Sequence, residues 1–271
     1  MIAYPFRFVN SAYQINLQFY GWYDILSVKG VSGMATWVTH LMIADKILRE
    51  ICRLDRRGFC VGNIAPDCNV ENANFTTFTP ARKVTHFMRG QKKTEADGDR
   101  FCKEHIINCR DMIQTQEQYS FLLGYYAHLI TDAAYAKMTC DSARIKALWK
   151  RIRADRNLRV KAEGLSETWD GAKKVFSKSD RLREIYTMEA EYLSLHPESG
   201  YLTEILPLKE FPDYLDYLPK GAIVRKIGVM GYMPKKDEGV NPIVISQEEY
   251  AVFVANTACL VIDKLGEKGL V

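Results

Sequence analysis

Five side chains in the first half of the chain, His40, Asp67, His86, His128 and Asp132, carry groups that borderline metal ions accept. Imidazole nitrogen and carboxylate oxygen bind zinc at roughly 2.0–2.2 Å, and a catalytic zinc keeps one position open for water. Two of the five are tied together by spacing. His128 and Asp132 lie four residues apart in Gly124-Tyr-Tyr-Ala-His-Leu-Ile-Thr-Asp132, so on a helix both project from one face. The apolar residues around them (Phe121, Leu122, Leu123, Leu129, Ile130, Ala133, Ala134) read as a buried helix. A buried imidazole and carboxylate are costly unless paired, hydrogen-bonded or metal-bound. A His–Asp hydrogen bond in a helical core answers that need as well as a metal does, and the spacing of this pair leaves both readings open. Five ligands, however, exceed what one tetrahedral site needs. A carboxylate can bridge two ions about 3.5–4 Å apart, an arrangement that clamps both the attacking and the leaving oxygen of a phosphate ester.

The elements that must position these groups follow from apolar spacing and end signals. From Trp37 to Leu54 apolar residues recur at helical intervals (Val38, Leu41, Ile43, Ile47, Leu48, Ile51), with Thr36 as N-cap, His40 in the first turn and Gly58 as the stop. The apolar segment from Phe59 breaks at Pro66 and places Asp67 on a turn or helix end. Residues 68–80, rich in Asn and Thr, read as a loop of the kind that carries site residues between rigid elements. Thr85-His86 then repeats the Thr39-His40 pair. Helices are expected over 95–113, 116–138, 142–157, 166–176 and 180–195, with Ser142 and Ser166 as caps. The capping box Ser246-Gln-Glu-Glu249 opens a final helix ending before Gly266. Between 205 and 241, four prolines (207, 212, 219, 234) and three glycines (221, 228, 231) predict irregular chain, or at most a short strand at Ile223-Val224. No internal repeat or sharp change of composition divides the chain. The expected fold is all-α, a single multi-helix domain over residues 34–271.

Other polar residues have plainer readings. Arg82, Lys83 or Arg89, flanking His86, could donate to a bound anion, although isolated basic residues are more often solvated surface. Tyr125 and Tyr126 fit core packing or a pocket wall. His105 reads as a surface helix residue, and His196, before Pro197, as a helix-end residue near the C-terminal dipole.

With 271 residues, 47% hydrophobic and 26% charged, the composition is that of an ordinary globular protein. A net charge of +4 gives no strong nucleic-acid signal. The seven cysteines are odd in number and form no CxxC pair, which argues against a disulfide framework or a cysteine zinc site and for a reducing, cytoplasmic setting. Residues 1–33 differ from the rest: aromatics (Tyr4, Phe6, Phe8, Tyr13, Phe19, Tyr20, Trp22, Tyr23) alternate with polar residues, with almost no charge. Asn10, Ser11, Gln14, Asn16 and Gln18 interrupt any signal peptide or membrane span. Lys29-Gly30-Val31 can be encoded by AAA-GGA-GTN, the purine tract of a bacterial ribosome-binding site, and Met34 follows. Residues 1–33 are therefore read as an aromatic-rich extension, translated leader ahead of a working protein that starts at Met34. The alternative is a genuine aromatic arm.

The series Thr39-His40, Gly62-Asn-Ile-Ala-Pro-Asp67, Val84-Thr-His86-Phe and Gly124-Tyr-Tyr-Ala-His128-Leu-Ile-Thr-Asp132 resembles the zinc-dependent phospholipase C family of bacteria, which is related to the single-strand-specific zinc nucleases. The resemblance covers residues 34–140 and implies a helical fold around a metal cluster that hydrolyses phosphate esters. It implies that Asp67, His86, His128 and Asp132 hold one zinc and that His40 and Asp132 hold a second, making Asp132 the bridge. It also makes Asp67 the catalytic residue that orients or deprotonates the attacking water. The founding enzymes complete one site with an N-terminal Trp and build a third from two further His and a Glu. Here Trp37 is internal and only His196 follows Asp132 among histidines, so one or two zinc ions are expected. The implied substrate is a phosphate-ester small molecule or lipid headgroup. The competing readings are a metal-stabilised binding or structural protein without turnover and a nuclease-like phosphodiesterase, the latter disfavoured by modest charge and the lack of a base-stacking stripe.

Overall fold

The computed structural model describes residues 35–74, 76–90 and 96–271. The expectation for residues 1–33 and the start of the expected helix at Glu95 lie outside the described residues. The fold is mostly helical, with one two-stranded antiparallel ladder among the described residues.

Its centre is the long helix α5, Gln116–Thr139, buried at almost every residue from Ser120 to Asp132. Before it in the chain come α1 Trp37–Glu50, α2 Arg56–Gly62, α3 Arg82–Thr85 and α4 Gly98–Phe101. After α5 come α6 Ser142–Ala154, α7 Arg156–Lys161, α8 Trp169–Val175, α9 Lys178–Leu195, α10 Ala222–Met230 and α11 Gln247–Glu267. Strands β1 (Val70–Glu71) and β2 (Phe78–Thr79) pair Val70 with Thr79 inside the Asn/Thr-rich segment.

Backbone contact sets how α2 lies on α5. A Cβ at Gly62 would fall 2.9 Å from the Phe121 carbonyl carbon and the Tyr125 nitrogen, and one at Gly124 would fall 3.1 Å from the Gly62 Cα. Glycine is needed on both sides of this seam, because any side chain would force the two backbones apart. Helices α1 and α11 pack on each other and against α5, closing the main core. A smaller cluster, Leu148, Trp149 and Ile152 of α6 with Ala172 and Val175 of α8 and with Val244, sits beside it. No helix among the described residues is long and apolar enough to cross a membrane.

Several expected boundaries moved, each for a local reason. The first helix ends at Glu50, and Gly58 is not its stop but lies within α2, capped by Asp55. The expected 95–113 helix is broken: α4 runs into a wide π turn, Cys102–Ile107, and a short 3-10 turn, Arg110–Met112. Phe101 and Ile106, both buried, are five residues apart, a spacing that the wider turn accommodates better than 3.6 residues per turn. Asp141 rather than Ser142 caps α6, and Asp155 divides the expected 142–157 helix by capping α7 through the Asn157 and Leu158 amides. Thr168, not Ser166, caps α8, and the capping box Ser177–Asp180 starts α9 earlier than expected. The Ser246–Glu249 box opens α11 as expected, but the helix runs through Gly266 to Glu267.

The largest correction is α10, a helix where irregular chain or a short strand was expected. Gly221 adopts φ 67 and turns the chain into it, and Ile223 and Ile227 give it a buried side. Its Lys226 pairs with Glu71 of β1 at 2.6 Å, with Arg225 on the same carboxylate at 2.8 Å. That ion cluster ties the hairpin following Asp67 to α10, and it holds the Glu71 carboxyl down at about 2 through the Arg225 and Lys226 hydrogen bonds, against the opposing effect of desolvation.

Candidate metal centre

Four elements deliver the five predicted side chains to one place. His40 comes from the first turns of α1, Asp67 from the end of the 3-10 turn Ala65–Asp67, His86 from the residue after α3, and His128 and Asp132 from adjacent turns of α5. The residues His40, His86, His128 and Asp132 have no exposed surface, whereas Asp67 keeps 8%. Their ligand atoms form two overlapping groups, His40 with His128 and Asp132, and Asp67 with His86 and His128, each within 4.8 Å.

Asp132 stands between the imidazoles, and its two oxygens face different partners. Oδ1 is 3.7 Å from His40 Nε2, and Oδ2 is 3.4 Å from His86 Nε2 and 3.6 Å from His128 Nε2. Asp67 Oδ1 lies 3.3 Å from His86 Nε2 and 3.0 Å from the Arg82 guanidinium. The His40 and His128 rings stack, with centroids 3.9 Å apart and planes 1° from parallel.

The hydrogen bonds behind the rings fix which nitrogen faces the centre. His128 Nδ1 lies 2.7 Å from the Asn63 carbonyl oxygen, which can only accept, so Nδ1 carries the proton and Nε2 a lone pair. For His86, Nδ1 lies 2.9 Å from Thr85 Oγ1, whose own proton goes to the Arg82 carbonyl. The Nδ1 of His86 therefore donates, and its Nε2 also presents a lone pair. None of the Nε2 atoms of His40, His86 and His128 makes a hydrogen bond, although each is buried. Burial first, then the neighbouring His128, lowers the His40 pKa to about 4, so this ring is neutral near pH 7.

The Nε2 lone pairs of His86 and His128 thus face carboxylate oxygens 3.3–3.6 Å away. Such an arrangement repels unless a cation lies between the groups. A tetrahedron with zinc–ligand bonds of about 2.0–2.1 Å has edges of about 3.3–3.4 Å. The Asp67–His86 and His86–Asp132 separations, 3.3 and 3.4 Å, match that edge length, and those of His128 and His40 from Asp132, 3.6 and 3.7 Å, are slightly wider. The donor set is what zinc takes, and outer partners orienting His86 and His128 are the usual support of metal-binding imidazoles.

Some residues play parts that spacing did not reveal. Asn63, inside the sequence stretch that ends at Asp67, supplies the carbonyl that orients His128. The two Thr-His pairs do different jobs: Thr85 orients its neighbouring histidine, while Thr39 turns to a buried carboxylate on α9, Glu189. Glu189 accepts from the Thr39 amide at 3.0 Å and hydroxyl at 2.9 Å, and also from Thr36, and burial pushes its pKa up to about 7. Of the three cations flanking His86, only Arg82 reaches the cluster; Arg89 pairs with Asp97. Tyr125 is core, its hydroxyl bound to the Thr85 carbonyl, and Tyr126 bonds Asp99. His105 is half-buried against Phe101 and Phe87 rather than on the surface, and His196 caps the end of α9 as expected.

Residues 39–135 match the family described as zinc dependent phospholipase C, a span that runs from just before His40 to just past Asp132. No curated protein and no solved structure matches the chain.

Proposed function

We propose that this chain, matched to the zinc dependent phospholipase C family over the segment that holds its His/Asp cluster, is a zinc hydrolase of phosphate esters. The observation that carries the reading is the set of three buried Nε2 atoms, two of them fixed as lone pairs by the hydrogen bonds behind His86 and His128, turned toward two carboxylates at 3.3–3.7 Å. Asp67, His86, His128 and Asp132 Oδ2 would hold one ion. His40 and Asp132 would hold a second.

When bound, zinc lowers the pKa of a coordinated water to about 7 and draws charge from a phosphoryl oxygen. The residues of this chain do the rest. Asp67, the least buried of the five, orients or deprotonates the attacking water. Arg82 holds Asp67 Oδ1 through one terminal nitrogen, and its side chain keeps about a quarter of its surface exposed, so the guanidinium can also reach a phosphoryl oxygen. Asn63 and Thr85 keep two imidazoles in the tautomer the site needs. A phosphate-ester small molecule or a lipid headgroup fits this chemistry.

The test is metal content by mass spectrometry on protein purified without added metal or chelator, followed by hydrolysis of aryl phosphomonoesters and phosphodiesters. One or two zinc equivalents, lost in His128→Ala together with hydrolysis, is the expected result. A folded protein without metal would overturn the reading. Bound zinc without turnover on either ester class would make the cluster a structural one.

A further inference from the structure

The turn that carries His86 has a second face. Arg82 and His86, four residues apart, point to the cluster, while Lys83 and Phe87, offset by one residue, fall on a different side of the turn. There they line an open cleft of about 630 Å³, within the size range of small-molecule sites. Val84, Met88, Arg89, Arg100, Glu104, His105 and Tyr217 complete its lining, and none of the five cluster residues takes part.

Three features of the cleft point to one class of ligand. The first is a wall of rings. Phe87 meets His105 edge to face at 5.6 Å and Tyr217 at 6.3 Å, and His105 meets Tyr217 at 5.8 Å. Burial lowers the His105 pKa, so near pH 7 this ring is a neutral stacking surface. The second is charge: Lys83, Arg89 and Arg100 line the cleft against one carboxylate, Glu104. Arg89 is engaged by Asp97, and Arg100 lies 4.9 Å over the Phe87 ring, but among the described residues Lys83 makes no ion pair. The third is backbone strain. Phe87 sits at φ 50, a conformation costly for a bulky residue, directly after His86, and its ring lies buried at the base of the cleft, edge to face with Phe101 at 5.2 Å.

We infer that this cleft binds a small organic anion with a flat aromatic body, the ring set against His105 and Tyr217 above the buried Phe87 and the anion held by Lys83 with the arginines beside it. The inference does not rest on the hydrolase reading, because the cleft and the metal cluster share a turn but no side chain. An occupant would press on Phe87 and so on the backbone that places His86.

The probe is phenylphosphonate, whose carbon–phosphorus bond resists phosphoester hydrolysis. Calorimetric titration of the full chain, both chelator-treated and zinc-supplemented, compares it with inorganic phosphate and with phenol. Phenylphosphonate should bind the chelator-treated protein at least tenfold more tightly than either half-probe. Lys83→Glu should weaken binding at least fivefold in both preparations while leaving the thermal midpoint unchanged, since Lys83 is exposed. No binding of phenylphosphonate, affinity equal to that of inorganic phosphate or of phenol, or no effect of Lys83→Glu would each overturn the inference. If the chelator-treated protein unfolds, the Lys83→Glu comparison in the zinc-supplemented protein decides. A protein that binds no zinc yet takes phenylphosphonate in this way would sink the hydrolase reading and leave the cleft standing.

Discussion

Replacing Gly62 by alanine sets two effects of opposite sign against each other. Inside an exposed helix the change removes backbone freedom from the unfolded chain and is worth roughly 0.5–1 kcal/mol of added stability. At Gly62 the added methyl carbon would stand 2.9 Å from both the Phe121 carbonyl carbon and the Tyr125 nitrogen, and closer still to the Phe121 oxygen. Both neighbours are backbone of α5, so no rotamer change relieves the overlap. Ordinary contact between a carbon and a carbonyl oxygen needs about 3.3–3.6 Å, so α2 must part from α5. Overpacking of this kind typically costs 1–3 kcal/mol, and with a rigid wall on one side we expect about 3 kcal/mol net. For a chain of this size that is a fall of roughly 6–12 °C in the unfolding midpoint. The same displacement drags Asn63 away from His128 Nδ1, a 2.7 Å hydrogen bond, so zinc affinity should fall with stability. Differential scanning calorimetry with and without zinc reads both effects. The matched control is Gly228→Ala, where an added Cβ meets nothing within 4 Å and the midpoint should rise slightly. A midpoint for Gly62→Ala at or above that of the native chain would refute the argument that the seam requires glycine.

Removing His128 or Asp132 tests the cluster directly: Asp132→Asn should lose bound zinc and the thermal stabilisation that added zinc gives the native chain, an effect of about 3 kcal/mol at a hundredfold excess of ion over Kd, and unchanged zinc content would exclude Asp132 as a ligand. Glu189, raised from the usual 4.5 to about 7, is favoured in its neutral form in the folded state, which holds more protons than the unfolded chain between those values. Stability should therefore fall as pH rises from 4.5 through 7, by on the order of 3 kcal/mol, and Glu189→Gln should flatten that slope in urea titrations; parallel slopes for both proteins would contradict the assignment. Lys226→Ala leaves the Glu71 carboxylate buried beside a half-exposed Arg225 and should cost about 3 kcal/mol at pH 7, a penalty that shrinks as pH falls toward 2 and Glu71 takes up a proton. A penalty independent of pH would mean that packing against Phe78, not the ion pair, is what was lost.

What could be read from the chain was whatever rests on local periodicity. The helix over 116–139 announced itself because nearly every residue from Ser120 to Asp132 is buried, and the capping box at Ser246 because its two hydrogen bonds lie within four residues. The five cluster residues could be named because their types are restricted and two of them share a helix face. The role of Arg82 could not: from sequence it was one of three cations around His86, and only the fold shows that its face of the turn is shared with His86 while Lys83 falls on a different side. Glu189 was invisible for a related reason, since 149 residues separate it from His40 and nothing near it in sequence marks it as buried. Helix α10 was misread because Gly221 and Gly228 look like breakers, although one serves as the entry to the helix and the other lies on its exposed side.

The same physics explains why a site of this kind needs its long-range supports. Each lone pair turned inward is destabilising in a metal-free chain, so local preference alone would rotate these rings toward other donors. Asn63 and Thr85 prevent that by occupying Nδ1 of two rings, and the stacked His40 is held against His128 by a helix whose first turn is anchored on Glu189. The restraint comes from three separate elements, α2, α3 and α9, none of which carries a ligand within its helical residues. A mutation in any of them should therefore weaken metal binding without touching a ligand. Thr85→Val, which keeps the volume and removes the hydroxyl that fixes the His86 tautomer, is the smallest such change.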